Sequence, residues 1–207
     1  DDIQCLSCGT SIADQLMPNH AVMVQGELQL PHCEAVATSG VCASSMAALK
    51  YAYMSVRCGI HSNAVATGSD LSSAIMQAKN FREEAQANAE DLTRRPELAF
   101  EKDFLRWMLS DGAGAMLLQD KPSSKGLSLR INWLDILSYA GEMEACMFAG
   151  AVKHADGALQ GWQSFDNAQR SEQSVMTVKQ DVKLLNENIV RYTVEKPLVE
   201  LVDKYDL

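Results

Sequence analysis

One stretch of the chain, Ala37 to Ala47, places a cysteine where its thiol could act as a nucleophile. The β-prone run from His32 to Thr38 leads into it, small residues then permit a sharp turn, and a helix rich in Ala, Met and Leu follows. We therefore expect Cys42 in the first turn of a buried helix, where free amides and the helix dipole stabilise a thiolate. Such a thiol could accept an acyl group from a thioester, and the leading amide would face the oxyanion. A buried structural cysteine is the alternative.

The other cysteines offer weaker candidates. Cys5 and Cys8 form a lone CxxC, and on a strand their side chains would point to opposite faces, which suits neither chelation nor a disulfide. Zinc needs four ligands, and no second CxxC or HxxxH pair accompanies this one, so no metal site is expected. The remaining thiols are most simply core or surface residues: Cys33, Cys58 and Cys146.

A cysteine acyltransferase needs a base or hydrogen-bond donor near its thiol. The chain has four histidines, His20, His32, His61 and His154. None has a spacing that marks it as a partner, and ordinary surface or capping roles are expected for all four. The partner is expected beyond Leu207.

A glycine motif, Asp111 and Gly112 followed by Gly114, superficially resembles a phosphate loop. No Gly-Lys-Ser/Thr follows it, and the next element is the strand Met116–Leu118 and not a helix, so neither phosphate-binding motif is present. We predict a structural glycine turn that lets the backbone pass close to the helix after Cys42.

The composition bounds the function. The chain has 207 residues, 47% of them hydrophobic, and a net charge of −9 with a pI of about 4.9. No basic run or basic–aromatic face supports nucleic-acid binding. No apolar run approaches the ~20 residues of a membrane span, and no signal peptide is visible. Six cysteines without disulfide-scaffold density favour a reducing cytoplasm. Both ends of the chain look cut, so a piece of a longer protein is expected.

Strand-like and helix-like segments alternate up to residue 70. The predicted order is the strand 3–8, a helix opened by Pro18, the strand 32–38, the helix from Cys42 to about Gly59 and the strand 63–68. This rhythm predicts an α/β fold with a mostly parallel sheet and crossover helices.

The rest of the chain has less regular patterns. The polar segment 72–103 is interpreted as an inserted surface helix or lid, and the loop 121–126 as an internal boundary. Residues 127–137 alternate and predict a strand. Apolar residues spaced by three and four predict a long amphipathic helix over 171–194, which Pro197 kinks or follows with a short one.

Four segments together resemble β-ketoacyl–acyl-carrier-protein synthase III and its relatives in the thiolase superfamily. The segment 17–28 resembles the family's aromatic-Pro-Ser-x-Ala helix with its Gln-x-x-Leu ending, and 41–44 resembles the nucleophile turn. The segment 65–70 resembles the strand after the nucleophile helix, and 110–115 the Gly-Asp-Gly-Ala-Gly-Ala turn. The second half of the chain resembles the family only in outline.

The resemblance implies a layered αβαβα thiolase fold that is incomplete in this chain. Residues 1–122 would form the N-terminal half, with the insertion at about 72–103, and residues 123–207 the beginning of the C-terminal half. Cys42 would attack an acyl thioester, with its backbone amide in the oxyanion hole. A His and an Asn beyond Leu207 would support decarboxylation of a malonyl thioester, whose carbanion would attack the acyl group.

The resemblance also implies substrates and partners. Acyl-CoA or acyl-carrier-protein thioesters would be the substrates, and no cofactor would be needed. The protein would be a cytoplasmic homodimer in which Met17 lines the partner subunit's acyl pocket and Ser72 helps to shape the pocket of its own subunit.

Departures from the family pattern indicate a specialised relative, from fatty-acid or secondary metabolism. Val41 precedes Cys42 where Ala is common, the segment 178–182 lacks the usual Gly…Phe pattern, and the insertion is long. Two alternatives stay open: acyl transfer to an amine, alcohol or carrier without condensation, and a non-catalytic partner subunit. The presence of Cys42 argues against the latter. Residues 1–207 alone are not expected to complete the condensation.

Overall fold

A computed structural model describes residues 2–82, 86, 93–94, 105 and 107–207. The chain divides into two compact units. The first unit comprises Asp1–Leu71 and Asp111–Ile136, and the second comprises Ser72–Ser110 and Leu137–Leu207. Compactness does not test where two related halves meet, so the division after residue 122 stays a prediction.

The first unit is built on a four-stranded sheet. Its strands are β1 (Cys5–Thr10), β2 (Glu34–Ser39), β3 (Asn63–Asp70) and β4 (Gly112–Gln119). The order is β2-β1-β3-β4, with the first three parallel and β4 antiparallel to β3. All six residues of β1 are buried, as expected of a central strand. The predicted α/β class is confirmed. The sheet is mixed, because β4 runs antiparallel to the three parallel strands.

Two crossover helices cover opposite faces of this sheet. On one face, α1 (His20–Glu27) contributes Ala21 to a cluster with Leu6 and Cys8. On the other face, α2 (Ser44–Arg57) packs Leu49 and Ala52 against a second cluster that includes Cys5. Residues three apart on a strand face opposite sides, so Cys5 and Cys8 are separated by the sheet as predicted.

The ends of both helices follow from local chemistry. The side chain of Asn19 caps α1 by accepting a hydrogen bond from the Val22 amide at 3.1 Å. Pro18 therefore precedes the cap, and its predicted place as the first helical residue is wrong. At the other boundary, α2 ends before Gly59, which has φ +72° and terminates the helix as predicted.

Two predictions for the end of the first unit are wrong. Gly112 and Gly114 do not form a turn, because they already lie in β4 and pair with β3. Residues 127–137 are not a strand, since an alternating pattern forms one only where a neighbouring strand completes its hydrogen bonds. Within that segment, Ile131 and Leu134 instead pack against the cluster beneath α2.

The second unit contains short strands and helices. A short helix, α3 (Ser72–Ile75), and a 3₁₀ turn at Ala78–Phe81 open it. Most of the predicted insertion from residue 83 to 103 lies outside the described residues. The remaining elements pair β5 with β8 and β6 with β7: β5 (Met147–Phe148), β6 (Ala151–Lys153), β7 (Leu159–Gly161), α4 (Asn167–Glu172), β8 (Lys179–Gln180), α5 (Val182–Val190) and α6 (Lys196–Tyr205).

The long helix predicted over 171–194 is interrupted. Ser174 adopts a left-handed conformation with φ +47°, β8 follows, and α5 begins only after Asp181. The Asp181 carboxylate accepts a hydrogen bond from the Leu184 amide at 3.0 Å and so starts a new helix. A π-helical turn over Arg191–Glu195 joins α5 to α6, which has Pro197 in its first turn. Among the described residues, no helix has the length and apolar character needed to cross a membrane.

Candidate active site

The turn that carries Cys42 lies between the carboxyl end of β2 and the start of α2. Gly40 has φ +137°, a conformation that favours glycine, and it turns the chain immediately after the strand. The Ser44 amide then donates to the Val41 carbonyl at 2.9 Å, which closes a tight turn with Cys42 in its interior. The helix begins at Ser44, so Cys42 precedes it by two residues and is exposed. The expectation that Cys42 lies within the first helical turn of a buried helix is corrected accordingly.

A threonine at the end of β2 fixes this turn to the helix. The Thr38 hydroxyl donates to the Ser44 carbonyl at 2.7 Å. Ser44 is buried and forms the first residue of α2. The bond therefore holds the end of the strand and the start of the helix together on either side of Cys42.

Two glycines let the helix approach the sheet closely beside the turn. Gly9 of β1 pairs with Gly68 of β3. A Cβ on Gly9 would lie 2.5 Å from the Ser44 carbonyl oxygen, and a Cβ on Gly68 would lie 2.4 Å from the Ser45 Cβ. A side chain at either glycine would require the helix or the strand to move. This pair therefore determines how closely the start of α2 approaches the sheet.

The close approach that the sequence assigned to the motif at 111–114 belongs to this pair instead. A Cβ added at Gly112 or Gly114 would meet nothing within 4 Å. Gly9 and Gly68 are far apart in sequence, and only the register of β1 with β3 makes them neighbours. The signal available in the sequence was a glycine near the end of each strand.

The turn at Cys42 contains an unpaired backbone amide. Among the described residues, the Cys42 amide has no hydrogen-bond acceptor. The N-cap residue of α2, Ala43, supplies no side-chain cap, and the first turn of the helix holds no acidic residue. Within the cap and first turn of α2, no side chain therefore neutralises the positive end of the helix dipole, an arrangement that can favour a negative charge.

The buried thiols are poorly suited to nucleophilic attack. Burial, followed by the nearby Glu34 carboxylate, raises the pKa of Cys5 to about 11. Burial likewise raises the pKa values of Cys8 and Cys33. A thiol with a raised pKa carries little thiolate at neutral pH. Cys58 is exposed but lies at the C-terminus of α2, at the other end from the free amides that begin this helix.

All four histidines lie in the described part of the chain, and none is hydrogen-bonded to Cys42 there. The His20 Nε2 lies 3.1 Å from the Ser69 hydroxyl, and the His61 Nδ1 lies 2.7 Å from the Ser55 hydroxyl. The fourth, His154, lies in the second unit, and its Nε2 lies 3.0 Å from the side-chain amide oxygen of Gln160. The surface and capping roles expected of the four histidines and a partner beyond Leu207 stay predictions.

An aspartate positions the loop between β1 and α1. Asp70, the last residue of β3, accepts hydrogen bonds from the Ser11 amide at 2.8 Å and from the Ser11 hydroxyl at 3.2 Å. The Thr10 hydroxyl donates to the same carboxylate at 3.4 Å. The sequence placed Asp70 in a family-like strand but gave no sign of this role, because its partners are sixty residues away.

The structure describes both predicted pocket residues. Met17 lies in the loop between β1 and α1 and is 80% exposed. Ser72 is the first residue of α3 and belongs to the second unit. Their roles in acyl pockets stay predictions.

Comparison with known proteins relates both the sequence and the fold to condensing enzymes. Residues 31–123 match the family model described as beta-ketoacyl synthase, N-terminal domain. The range contains β2, Cys42, α2, β3 and β4. A search of the curated proteins finds no match to the sequence.

Solved structures share the fold at low sequence identity. AbyA1, a tetronic acid condensing enzyme, aligns with a TM-score of 0.62 and 16% identity, over 98% of this chain and 51% of that chain. The 3-oxoacyl-(acyl carrier protein) synthase III of Pseudomonas aeruginosa PAO1 aligns with a TM-score of 0.55 and 16% identity, over 98% and 49%. Another 3-oxoacyl-(acyl-carrier-protein) synthase III gives 0.55 and 16%, over 98% and 53%. The chain thus spans about half the length of the structures it matches, and this identity shows a shared fold.

Proposed function

We propose that the protein is an acyltransferase with Cys42 as its nucleophile. Two findings support this proposal: residues 31–123 match the family model of the beta-ketoacyl synthase N-terminal domain, and the chain shares its fold with solved structures of condensing enzymes. One observation carries this proposal. Cys42 is an exposed thiol in a tight turn at the uncapped N-terminus of α2, and its own amide is unpaired among the described residues.

The first step is acyl transfer to sulfur. The Cys42 thiolate attacks the carbonyl carbon of an acyl thioester and forms a tetrahedral oxyanion, and we assign its stabilisation to the Cys42 amide and the N-terminal amides of α2. Collapse of this intermediate breaks the bond to the carrier sulfur, and the carrier leaves as a thiolate that takes up a proton. The product is an acyl thioester on Cys42.

The second proposed step is condensation. A malonyl-type thioester loses carbon dioxide, and the resulting carbanion attacks the acyl carbon, so that a carbon–carbon bond forms and the Cys42 thiolate leaves. This step requires groups that stabilise the carbanion, which we assign to a His and an Asn of the whole protein outside residues 1–207. Since these groups are assigned outside residues 1–207, this segment alone is not expected to complete the condensation.

The remaining parts of the proposal rest on the resemblance to synthase III. We assign acyl-CoA or acyl-carrier-protein thioesters as substrates without a cofactor, in fatty-acid or secondary-metabolite biosynthesis in the cytoplasm. In a homodimer, Met17 would enter the partner subunit's acyl pocket, and Ser72 would line the pocket of its own subunit. The exposed side chain of Met17 is compatible with such a contact.

Intact-mass analysis tests the first step. The protein is incubated with a panel of acyl-CoAs and acyl-carrier-protein thioesters, alongside a known condensing enzyme. We expect one acyl adduct per chain, which is lost in Cys42→Ala and kept in Cys58→Ala. Cys58 is the matched control, because it is an exposed cysteine at the opposite end of the same helix.

Two outcomes would contradict the acyltransferase. Either the panel labels the known enzyme but not this protein, or the Cys42→Ala variant still acquires the adduct. Adding a malonyl thioester to the acylated full-length protein then separates the second step: a 3-oxoacyl product supports condensation, and transfer of the acyl group to an amine, alcohol or carrier supports plain acyl transfer.

A further inference from the structure

We propose that Cys5, Glu34 and His61 form a binding site for one divalent metal ion of the zinc type, at the end of the sheet opposite Cys42. Their ligand atoms, one thiol sulfur, one carboxylate oxygen and one imidazole nitrogen, all lie within 4.8 Å of one another. Cys5 and Glu34 are the first residues of β1 and β2, whereas Cys42 follows the carboxyl end of β2. The proposed metal site is therefore separate from the nucleophile.

Three different segments bring these donors together on defined backbone. Cys5 pairs with Glu34 in the parallel register of β1 and β2, so their side chains share a face of the sheet. His61 arrives from the connection between α2 and β3, just after Gly59 with its left-handed conformation. The sequence could not indicate this group, because its members are separated by 29 and 27 residues, as the positions 5, 34 and 61 show.

One side chain of α2 orients a donor. The Tyr51 hydroxyl donates to Glu34 Oε1, which leaves Oε2 directed at His61 Nδ1 at 3.5 Å. A hydrogen bond of this kind to a ligand, outside the metal's own coordination sphere, fixes ligand orientation in protein metal sites. Ser55, four residues later on the same helix face, lies 2.7 Å from His61 Nδ1, and an ion bound at this nitrogen would replace that contact.

The geometry fits metal coordination better than a catalytic relay. A Ser–His–Glu relay needs the serine and the carboxylate on different ring nitrogens, but Ser55 and Glu34 both approach Nδ1 of His61. Sulfur, imidazole nitrogen and carboxylate oxygen are the three ligand types that zinc uses in proteins. Three protein ligands leave a fourth tetrahedral position for a water molecule.

Access and burial are also suitable. Cys5 is fully buried, whereas the Glu34 side chain is 37% exposed and gives the ion a route from solvent. A bound ion would connect β1, β2 and the connection that leads into β3. Its expected effect is to stabilise the first unit, independently of acylation at Cys42.

Metal titration of the full chain tests the site. The protein is stripped with a chelator and dialysed, and Zn²⁺ binding is followed by calorimetry, with Co²⁺ as a spectroscopic probe for thiolate ligation. We expect one ion per chain, a higher melting temperature, and a sulfur-to-cobalt absorption band. Glu34→Gln and His61→Gln should each weaken binding by at least about tenfold, and Cys5→Ser should abolish the band.

Matched variants separate the site from adventitious binding. Tyr51→Phe should weaken Zn²⁺ binding by about tenfold through the orientation of Glu34, whereas Tyr53→Phe should leave it unchanged. Cys42→Ala should bind the ion normally, so loss of the acylation reaction and loss of the metal site are distinguishable. If Cys5→Ser does not fold, the partly exposed Glu34 and His61 variants provide the test. Absence of stoichiometric binding, or equal affinity in the Glu34 and His61 variants, would overturn the proposal.

Discussion

Near the end of β2, the Thr38 hydroxyl donates a hydrogen bond to the carbonyl of Ser44, the first residue of α2. Replacing Thr38 with Val keeps the shape and the β-propensity but leaves the Ser44 carbonyl without its 2.7 Å donor. We expect a loss of about 1 kcal/mol in the free energy of unfolding and slower acylation of Cys42. Denaturant unfolding and the rate of adduct formation in intact-mass spectra measure the two effects. Thr38→Ser keeps the hydroxyl and should acylate near the wild-type rate, and equal rates in the Val variant would contradict the role.

The buried thiol of Cys8 gives the first unit a pH dependence of known sign. Burial between α1 and the sheet raises its pKa above the ordinary value of 9.0. In the window above pH 9.0 the unfolded chain therefore loses this proton before the folded chain does. The contribution of the Cys8 thiol to the free energy of unfolding is complete below pH 9.0 and falls as the pH rises through the folded-state pKa.

We accordingly expect the stability of the wild type relative to Cys8→Ala to decrease above pH 9.0. Denaturant unfolding of both proteins between pH 7 and 11 checks this, with circular dichroism as the probe. A difference between the two proteins that stays constant across this range would contradict the buried-thiol explanation.

At the scale of elements, the paired glycines of β1 and β3 determine where α2 can begin. In Gly9→Ala the new methyl group would lie 2.5 Å from backbone atoms of Ser44, so either the strand or the helix must move. Overpacking of this kind costs about 1–3 kcal/mol, and here it also displaces the turn that holds Cys42. We expect Gly9→Ala to lower both stability and the rate of acylation.

The control for this prediction lies in the same sheet. Gly114 of β4 pairs with Gly68 of β3, but a Cβ added at Gly114 meets nothing within 4 Å. Gly114→Ala should therefore acylate at the wild-type rate. Equal damage from Gly9→Ala and Gly114→Ala would show that glycine content, and not the approach of α2, controls the turn.

The Asp181 carboxylate starts α5 and also pairs with Lys153, at 3.1 Å between Nζ and Oδ2. Replacing Asp181 with Ala should cost about 1 kcal/mol in the free energy of unfolding through loss of the helix cap, whereas Asn can still accept from the Leu184 amide.

The hydrogen bond from the Leu184 amide and the nearby ammonium of Lys153 lower the pKa of Asp181 below its ordinary value of 3.8. The advantage of wild type over Asp181→Asn is therefore present above pH 3.8 and disappears as the pH falls through the folded-state pKa. Thermal unfolding of the wild type and Asp181→Asn between pH 2 and 7 measures this advantage. A stability difference between the two proteins that does not change with pH would contradict the prediction.

Elements with complete local signals were predictable from the sequence. The buried strand β1, the helix α2 and its end at Gly59 each follow from residues within or next to the element. The strand expected at 127–137 was wrong, because an alternating pattern says nothing about whether a partner strand is available. The helix expected at 171–194 was wrong because a periodic apolar pattern hides the break at Ser174 and the new cap at Asp181.

The candidate site shows the same division between local and distant information. Cys42 was predictable, since a strand, small residues and a helix surround it in sequence. The close approach of α2 at Gly9 and Gly68 was not, because these residues meet distant partners that only the sheet register brings near. The cluster of Cys5 with Glu34 and His61 was hidden for the same reason.

At the scale of the whole molecule, charge and exposed apolar surface act against each other. The net charge of −9 at pH 7 favours dispersed chains, and it approaches zero near the pI of about 4.9. Leu127 and Leu129 are 87% and 86% exposed and lie in the segment that forms no strand. We expect self-association to be greatest near pH 4.9, with these two leucines contributing contact area.

The double variant Leu127→Glu with Leu129→Glu should shift this maximum to lower pH and reduce its height, because it removes apolar surface and adds two negative charges. The matched control, Leu127→Met with Leu129→Met, keeps both the apolar surface and the net charge, so its behaviour should follow the wild type. Static light scattering across pH 4 to 8 at fixed protein concentration and ionic strength distinguishes the three proteins. Since the substitutions lie outside the nucleophile turn, acylation of Cys42 at pH 7 should be unchanged in both variants. Identical scattering curves for the Glu and Met variants would show that self-association does not depend on this exposed segment.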